Sequence, residues 1–175
     1  MTSPTDARNR RTKPPTGWKR CIARLPVHMY RIGLGPLFGR RLLLLIHTGR
    51  LSGVTRKVVI EVVEHDPQAG AWTVASGFGT RAHWYQNLRH TPQATIQVGR
   101  RYHAVTARFL PAEEGARIMA RYAALRPHTA AQLCAYMGFT IDGTSESFRK
   151  AGEQIPFVRL ESAPAWSNAP VGCGR

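Results

Sequence analysis

Short apolar runs separated by polar turns occupy the middle of the chain and predict β-strands. The run Leu42–Thr48 is apolar as far as His47, which is typical of a strand buried on both faces. Five further strands are predicted at 57–65, 71–76, 94–98, 102–110 and 155–160. The segment 66–70 contains Asp, Pro and Gly, and 99–101 begins with Gly, as expected of turns. We therefore expect about six strands, mostly antiparallel.

Apolar residues spaced three and four positions apart predict helices on both sides of the strands. Residues 18–38 form a basic amphipathic segment of this kind, in which Pro26 is expected to introduce a kink. A short helix is predicted at His83–His90. After Pro111, helices are predicted at 113–125, at 129–137 and around 148–154, the second opened by a capping box of Thr129 and Gln132. These three helices form an insertion before the last strand.

The strand pattern favours a small barrel, because closure removes unpaired strand edges. The predicted class is α+β: a β-barrel with an N-terminal amphipathic helix and a helical insertion. The chain lacks both a regular alternation of strands with long helices and the G-x-G-x-x-G pattern, which argues against a Rossmann fold. We expect one domain at 18–161, between a disordered basic tail at 1–17 and a disordered tail at 162–175.

Composition narrows the functional classes. The 175 residues are 43% hydrophobic and 20% charged, which is ordinary for a globular protein. Three cysteines without C-x-x-C spacing and seven histidines without metal-ligand spacing argue against a disulfide scaffold and a metal site. No apolar run approaches the length of a membrane span, and no apolar stretch follows the Arg10-Arg11 pair, as an export signal would require. The expected location is the cytoplasm.

The positive charge is concentrated at the N-terminus. Residues 1–50 contain eleven of the 25 Lys and Arg residues and one acid, out of a net charge of +15. Such a segment either aids solubility alone or makes peripheral contact with anionic lipid headgroups. Nucleic-acid binding is disfavoured, because no helix-turn-helix, zinc finger or aromatic RNA-binding signature accompanies the charge. A non-enzymatic module that docks through residues 1–41 stays open as an alternative function.

Two constellations carry candidate chemistry. The first, at 48–57, combines glycines with hydroxyls and cations, a composition that binds phosphate but also suits a plain basic hairpin turn. The second comprises small residues at 75–80, which let a flat ring approach the backbone, followed by Trp84 and Tyr85, which can stack on a ring. No Ser or Cys lies in a nucleophile motif, so nucleophilic catalysis has no support.

At these constellations the chain resembles the deazaflavin-dependent nitroreductases, also called the coenzyme F-420(H2)-dependent quinone reductase family of actinobacteria. The shared pattern is Thr-Gly-Arg-x-Ser-Gly-x-x-Arg, then Ala-Ser-x-x-Gly, then Trp-Tyr-x-Asn-Leu-x-x-x-Pro. The matching residues are Thr48, Gly49, Arg50, Ser52, Gly53, Arg56, Ala75, Ser76, Gly79, Trp84, Tyr85, Asn87, Leu88 and Pro92. The likeness covers about 42–110 well and 155–161 moderately.

The resemblance implies a split β-barrel and a coenzyme with a phosphate and an acidic oligoglutamate tail. The residues implied to hold the phosphate and tail are Arg50, Ser52, Gly53, Arg56 and Lys57. Those implied to line the deazaflavin ring are Ala75, Ser76, Gly77, Trp84 and Asn87. The implied reaction moves a hydride from reduced F-420 to a small organic acceptor: a quinone, a nitroaromatic or an activated alkene. Split-barrel relatives are often dimers, so a homodimer is also implied.

The chain departs from the family pattern at several places. Leu51 stands where the family often has Lys after the first Arg, and Gly77-Phe78 stand where it often has Lys. Because both lysines are absent, an alternative function stays open: an enzyme of the same fold that uses FMN, or no redox cofactor, in natural-product tailoring. No tyrosine clearly matches those that face substrate in some members. The candidates for that role are Tyr136, His83, Tyr30 and Tyr122.

Overall fold

Six antiparallel strands close on one another in the order β1-β2-β3-β6-β5-β4 in the computed structural model of the chain, which describes residues 41–162. The strands are β1 (Leu42–Thr48), β2 (Thr55–Asp66), β3 (Ala71–Ala75), β4 (Gln93–Val98), β5 (Arg101–Phe109) and β6 (Phe157–Ser162). Because β1 pairs with both β2 and β4, every strand has two neighbours. The predicted barrel is confirmed, whereas the helix at 18–38 and both tails up to 17 and from 163 lie outside the described residues.

The barrel core follows from the alternation of side chains along each strand. On β1, Leu43 and Leu45 are completely buried and His47 is 6% exposed, so these alternate residues face inward. Their partners on β2 are Ile60, Val58 and Arg56 respectively. The inward-facing apolar residues of the other strands complete this core, among them Val74, Ile96, Val105, Val158 and Leu160.

Four helices cover the barrel. They are α1 (His83–His90), α2 (Ala112–Leu125), α3 (Pro127–Tyr136) and α4 (Ser145–Gln154). Helix α1 closes the end of the barrel where β1 and β3 finish, since Tyr85 and Leu88 pack into the barrel core; we call this the α1 end. The other three helices form a second core against Ala75 and Phe157. No helix within 41–162 has the length and apolar character needed to span a membrane.

The predicted helix boundaries are right for α1 and wrong at two later helices. Helix α3 begins at Pro127, and no side chain caps it, so the predicted capping box at Thr129 is not formed. Proline is favoured as a first helical residue because its φ angle is already helical and its missing N–H is not needed there. Helix α4 begins at Ser145, earlier than predicted, because Thr144 Oγ1 accepts a hydrogen bond from the Ser147 amide at 3.2 Å.

The strand boundaries differ from the prediction by a few residues. Strand β2 extends beyond 57–65 at both ends, because its first residues pair with the end of β1 and its last with β3. Ser162, predicted to begin a disordered tail, belongs to β6. Its amide donates to the carbonyl oxygen of Gly70 at 3.0 Å, and its hydroxyl donates to the same oxygen at 2.8 Å. Ser162 is therefore the last residue of β6 and does not begin a disordered tail.

Helices α2 and α4 approach each other so closely that only glycine fits at the contact. A Cβ atom on Gly152 would lie 2.7 Å from the carbonyl oxygen of Gly115 and 2.8 Å from Ala116 Cα. Both neighbours are backbone atoms, so the helices themselves must separate to admit a side chain. We expect Gly152→Ala to lower the free energy of unfolding by about 1–3 kcal/mol, as overpacking of a core does.

Chemical denaturation measures this loss. The control is Glu153→Ala, which changes an exposed residue on the same helix and should alter stability by no more than about 0.5 kcal/mol. Equal stabilities of the two variants would show that the helices adjust without cost.

Candidate functional site

The turn between β1 and β2 holds the first constellation in a fixed shape. The Gly49 amide donates to the Val54 carbonyl at 2.9 Å, and the Gly53 amide donates to the Gly49 carbonyl at 2.8 Å. Gly53 has φ +66°, a conformation that side chains rarely allow. Hydrogen bonds within the turn thus fix its backbone, while Ser52 and Gly53 are exposed.

Glycine at position 49 lets the Ser52 side chain approach the turn closely, with Arg56 at ordinary contact distance. A Cβ atom there would lie 3.0 Å from Ser52 Oγ and 3.6 Å from Arg56 Nε. Strand register separates Arg56 from its neighbour, since Arg56 pairs with inward-facing His47 and Lys57 pairs with Ile46 on the opposite face. Arg56 therefore faces the α1 end of the barrel, and Lys57 faces outward.

A polar network ties this turn to α1. Asn87, on α1, is 5% exposed. Its Oδ1 accepts hydrogen bonds from the Arg50 amide at 3.2 Å and from Arg50 Nη1 at 3.1 Å. Its Nδ2 lies 3.2 Å from His47 Nδ1. Two residues predicted to bind one cofactor, Arg50 and Asn87, are thereby held together.

Burial and charge act on His47 in the same direction. Burial lowers its pKa below the ordinary value of 6.5, a backbone hydrogen bond with Thr48 opposes this, and the positive charge of Arg56 lowers the pKa further. His47 is therefore neutral at pH 7.

An open cleft of about 730 Å³ lies beside this network. Its lining residues are Arg50, Thr80, Tyr85, Gln86, Arg89 and His90, and we call it the cationic cleft. Thr80 belongs to a short 3-10 helix, Gly79–Arg81, that follows the second constellation. The cleft thus lies between the hairpin turn and the segment after β3, and Arg50 is the one residue of the predicted cofactor-binding set that lines it.

The residues at the end of β3 are packed rather than open. Ser76 is 1% exposed, and its hydroxyl donates to the Gly79 carbonyl at 2.7 Å. A Cβ atom on Gly77 would lie 3.4 Å from Tyr136 Cε1, so the end of α3 covers this glycine. Ala75 is buried among the helices of the second core. None of these three predicted ring-lining residues is among the lining residues of the cationic cleft.

The aromatic candidates have different surroundings. Trp84 is partly buried against the barrel core. Tyr136 is 56% exposed, and its ring meets Phe78 edge-on with 5.9 Å between centroids. His83 is exposed at the start of α1. Tyr30 lies outside the described residues.

Tyr122 is excluded as a substrate-facing group. It is 4% exposed, and its hydroxyl donates to Glu61 Oε1 at 2.8 Å. Burial, and then this hydrogen bond, raise the pKa of Tyr122 well above its ordinary value. It joins α2 to β2 and does not face the cationic cleft.

The α1 end of the barrel carries positive charge that no acidic residue within 41–162 neutralises. Segments 47–57 and 76–95 contain five Lys and Arg residues and no Asp or Glu. These cations are Arg50, Arg56, Lys57, Arg81 and Arg89, and none forms an ion pair within 41–162. By contrast, the acids of β2 are partnered, as in Glu64 with Arg121 and Asp66 with Arg159. Such a field fits an anionic ligand.

Sequence reasoning missed several residues of this site, among them His47 and Arg89. His47 carried a usable signal, because it interrupts an apolar run in phase with inward-facing Leu43 and Leu45. Arg89 gave none, since its position depends on tertiary packing: its guanidinium lies 5.1 Å from the centre of the Phe109 ring, on β5. Within 41–162 no group of His, Cys, Asp and Glu is arranged to hold a metal ion.

A model of the F-420(H2)-dependent quinone reductase family matches residues 22–135, more than half of the chain. The chain belongs to this family, as its motifs predicted. It is therefore an oxidoreductase with coenzyme F-420 as its cofactor. A comparison with curated proteins gave no match.

Several solved structures are similar to the chain. An F-420-H2 dependent reductase (FDR-A) is 24% identical, with 70% of this chain and 96% of that chain covered and a TM-score of 0.48. A chain described as a domain-swapped dimer is 20% identical, with coverages of 83% and 100% and a TM-score of 0.51. A protein of unknown function from Agrobacterium tumefaciens is 15% identical, with coverages of 87% and 60% and a TM-score of 0.51.

The lowered pKa of His47 predicts a pH-dependent stability. Between the folded pKa and 6.5, the unfolded chain binds more protons than the folded chain. The free energy of unfolding should therefore fall as the pH is lowered from about 6.5 and should level off below the folded pKa. His47→Asn, which does not titrate, should lack this contribution.

Urea unfolding of both proteins at a series of pH values between about 5 and 7.5 isolates this difference, because the other titrating groups are common to both. Parallel pH profiles would show that His47 is as free to protonate in the folded chain as in the unfolded chain.

Proposed function

We propose that the chain reduces a small organic acceptor with a hydride from reduced F-420, bound where the β1–β2 turn meets α1. The acceptor is a quinone, a nitroaromatic or an activated alkene. The observation that carries this proposal is the pair of hydrogen bonds from Arg50 to Asn87, at 3.2 and 3.1 Å, which unites the turn and α1 at the cationic cleft. A redox enzyme with a polyanionic coenzyme needs such a cationic surface.

The donor set of the turn fits the coenzyme's phosphate. Arg50 and Arg56 supply guanidinium donors on the side of the α1 end, with Ser52 and Gly53 exposed between them. We assign the phosphate to these four residues. Lys57 faces outward from β2, so we assign it to the acidic tail, which is long enough to follow the surface. Arg89, in the cleft lining, adds a further cation.

The end of β3 and the start of α1 form the side of the site assigned to the ring. Ala75, Ser76 and Gly77 contribute backbone, with Trp84 and Asn87 on α1 opposite the turn. When bound, reduced F-420 supplies the hydride. The chain's own task is then to position the acceptor and to offer hydrogen bonds to the negative charge that develops on it. Tyr136, which is exposed beside Gly77, is our candidate for contact with the acceptor.

Truncation of Arg56 tests the phosphate assignment. A hydrogen bond to a charged group is worth about 1.5–3 kcal/mol, so Arg56→Ala should weaken F-420 binding by about tenfold to a hundredfold. The control is Arg117→Ala, which removes the same charge from an exposed position on α2 and should change affinity by about twofold or less.

Fluorescence titration of the full chain with F-420 measures both affinities. Repeating the titration at higher salt should weaken binding of the wild-type protein more than that of Arg56→Ala, since one fewer charge contact is screened. If Arg56→Ala and Arg117→Ala weaken F-420 binding equally, only the net charge of the protein matters and Arg56 makes no direct contact with the coenzyme.

Association of the chain also remains a proposal. One solved structure of the same fold is described as a domain-swapped dimer, and we propose a homodimer for this chain. Light scattering coupled to gel filtration should give twice the 19.5 kDa mass of one chain; a single-chain mass at micromolar concentration would contradict it. Contact of residues 1–41 with lipid stays a prediction, because residues 1–40 lie outside the described part.

A further inference from the structure

The orientation of the Asn87 side chain is determined by its neighbours. Both Arg50 atoms that contact it, the backbone nitrogen and Nη1, are donors. The amide oxygen must therefore face Arg50, and the amide nitrogen, also a donor, must face His47. Reversing the amide would set donors against donors on the Arg50 side in a region that water reaches poorly, since Asn87 is 5% exposed.

The protonation state of His47 follows from this orientation. Because Asn87 Nδ2 donates towards His47 Nδ1 at 3.2 Å, Nδ1 must carry a lone pair, and the ring proton must be on Nε2. A protonated imidazolium would present a second donor at the same contact. The hydrogen-bond chain from His47 through Asn87 to Arg50 is therefore complete only when His47 is neutral.

We propose that His47 is a positioning residue for Arg50. It does not line the cationic cleft itself, and it acts on Arg50 through its contact with Asn87. The inference rests on the proposed function, in that the ligand positioned by Arg50 is the coenzyme's phosphate. The neutral ring holds the Asn87 amide in the one orientation that accepts two hydrogen bonds from Arg50. Arg50 is partly exposed, so without this support its side chain is free to turn into solvent.

The charged groups around His47 oppose its protonation. Arg56 faces it from β2 as its strand partner, and Arg50 binds the far end of the Asn87 amide from the turn. The first three residues of β4, which neighbours β1, are uncharged. On α1, the titratable His83, Arg89 and His90 are exposed, and Tyr85 is buried in the barrel core. A proton on His47 would add a third positive charge near Arg50 and Arg56 and break the contact with Asn87.

Hydrogen exchange of the Arg50 backbone amide tests this arrangement without any ligand, because that amide donates to Asn87 Oδ1. The variants are His47→Ala, which removes the acceptor, and His47→Asn, whose Oδ1 keeps an acceptor near the position of Nδ1 but cannot be protonated. We expect His47→Ala to lower the Arg50 protection factor by about fivefold to tenfold, with protection largely restored in His47→Asn. Unchanged protection in His47→Ala would overturn the proposal.

Two further measurements complete the test. In the wild-type protein, nitrogen NMR of the ring at about pH 7.5 should show an unprotonated Nδ1; a proton on Nδ1 overturns the proposal even if His47→Ala fails to fold. Binding of F-420 should weaken about fivefold to tenfold in His47→Ala and recover in His47→Asn. The wild-type affinity should also fall as the pH is lowered through the folded-state pKa of His47, which lies below 6.5, whereas that of His47→Asn should not.

The exchange and binding experiments distinguish failure of the proposed function from failure of the positioning role of His47. If wild-type protein binds no F-420 but the exchange pattern is as expected, the proposed function fails and the positioning role of His47 stands. If F-420 binds with equal affinity to wild-type protein and to a folded His47→Ala, the positioning role fails and the proposed function stands.

Discussion

The register of β1 against β2 is the constraint on which the site depends. Side chains alternate along a strand, so a one-residue slip would exchange the two faces. The observed register aligns His47 with Arg56 and sends Lys57 to the opposite face. It is fixed by the apolar pairs further along, Leu45 with Val58 and Leu43 with Ile60, which must face the core. Burial of the core thereby decides which cation of the turn faces the α1 end.

The charge at the α1 end has an energetic consequence. Five cations without an ion pair in the described part of the chain repel one another, and a bound polyanion relieves that repulsion while adding its own binding energy to the folded state. Because these cations lack carboxylate partners in the described part of the chain, their arrangement favours ligand binding at the expense of the stability of the ligand-free protein. Asn87 shows the same balance between stability and binding. Its polar amide is buried, and its hydrogen bonds with Arg50 fix the position of that arginine.

Local signals made much of this fold predictable. The continuous apolar run of β1 and the helical spacing of α1 gave both elements with the observed boundaries, because burial dictates their pattern. The start of α3 was not predictable in this way: Thr129 offered a capping box, yet Pro127 begins the helix with no side-chain cap. For the site, motifs placed Arg50 and Asn87 in one function, but their direct contact and the role of His47 depend on residues 37 and 40 positions apart, which a local pattern does not encode.

The central claim is that the turn at 49–57 and α1 together bind the coenzyme. A crystal structure of the full chain with F-420 tests it most directly. We expect the phosphate to contact the guanidinium of Arg50 or Arg56, and the ring to lie beside the segment from Ala75 to Gly77. A phosphate bound elsewhere, with both arginines facing solvent, would contradict it.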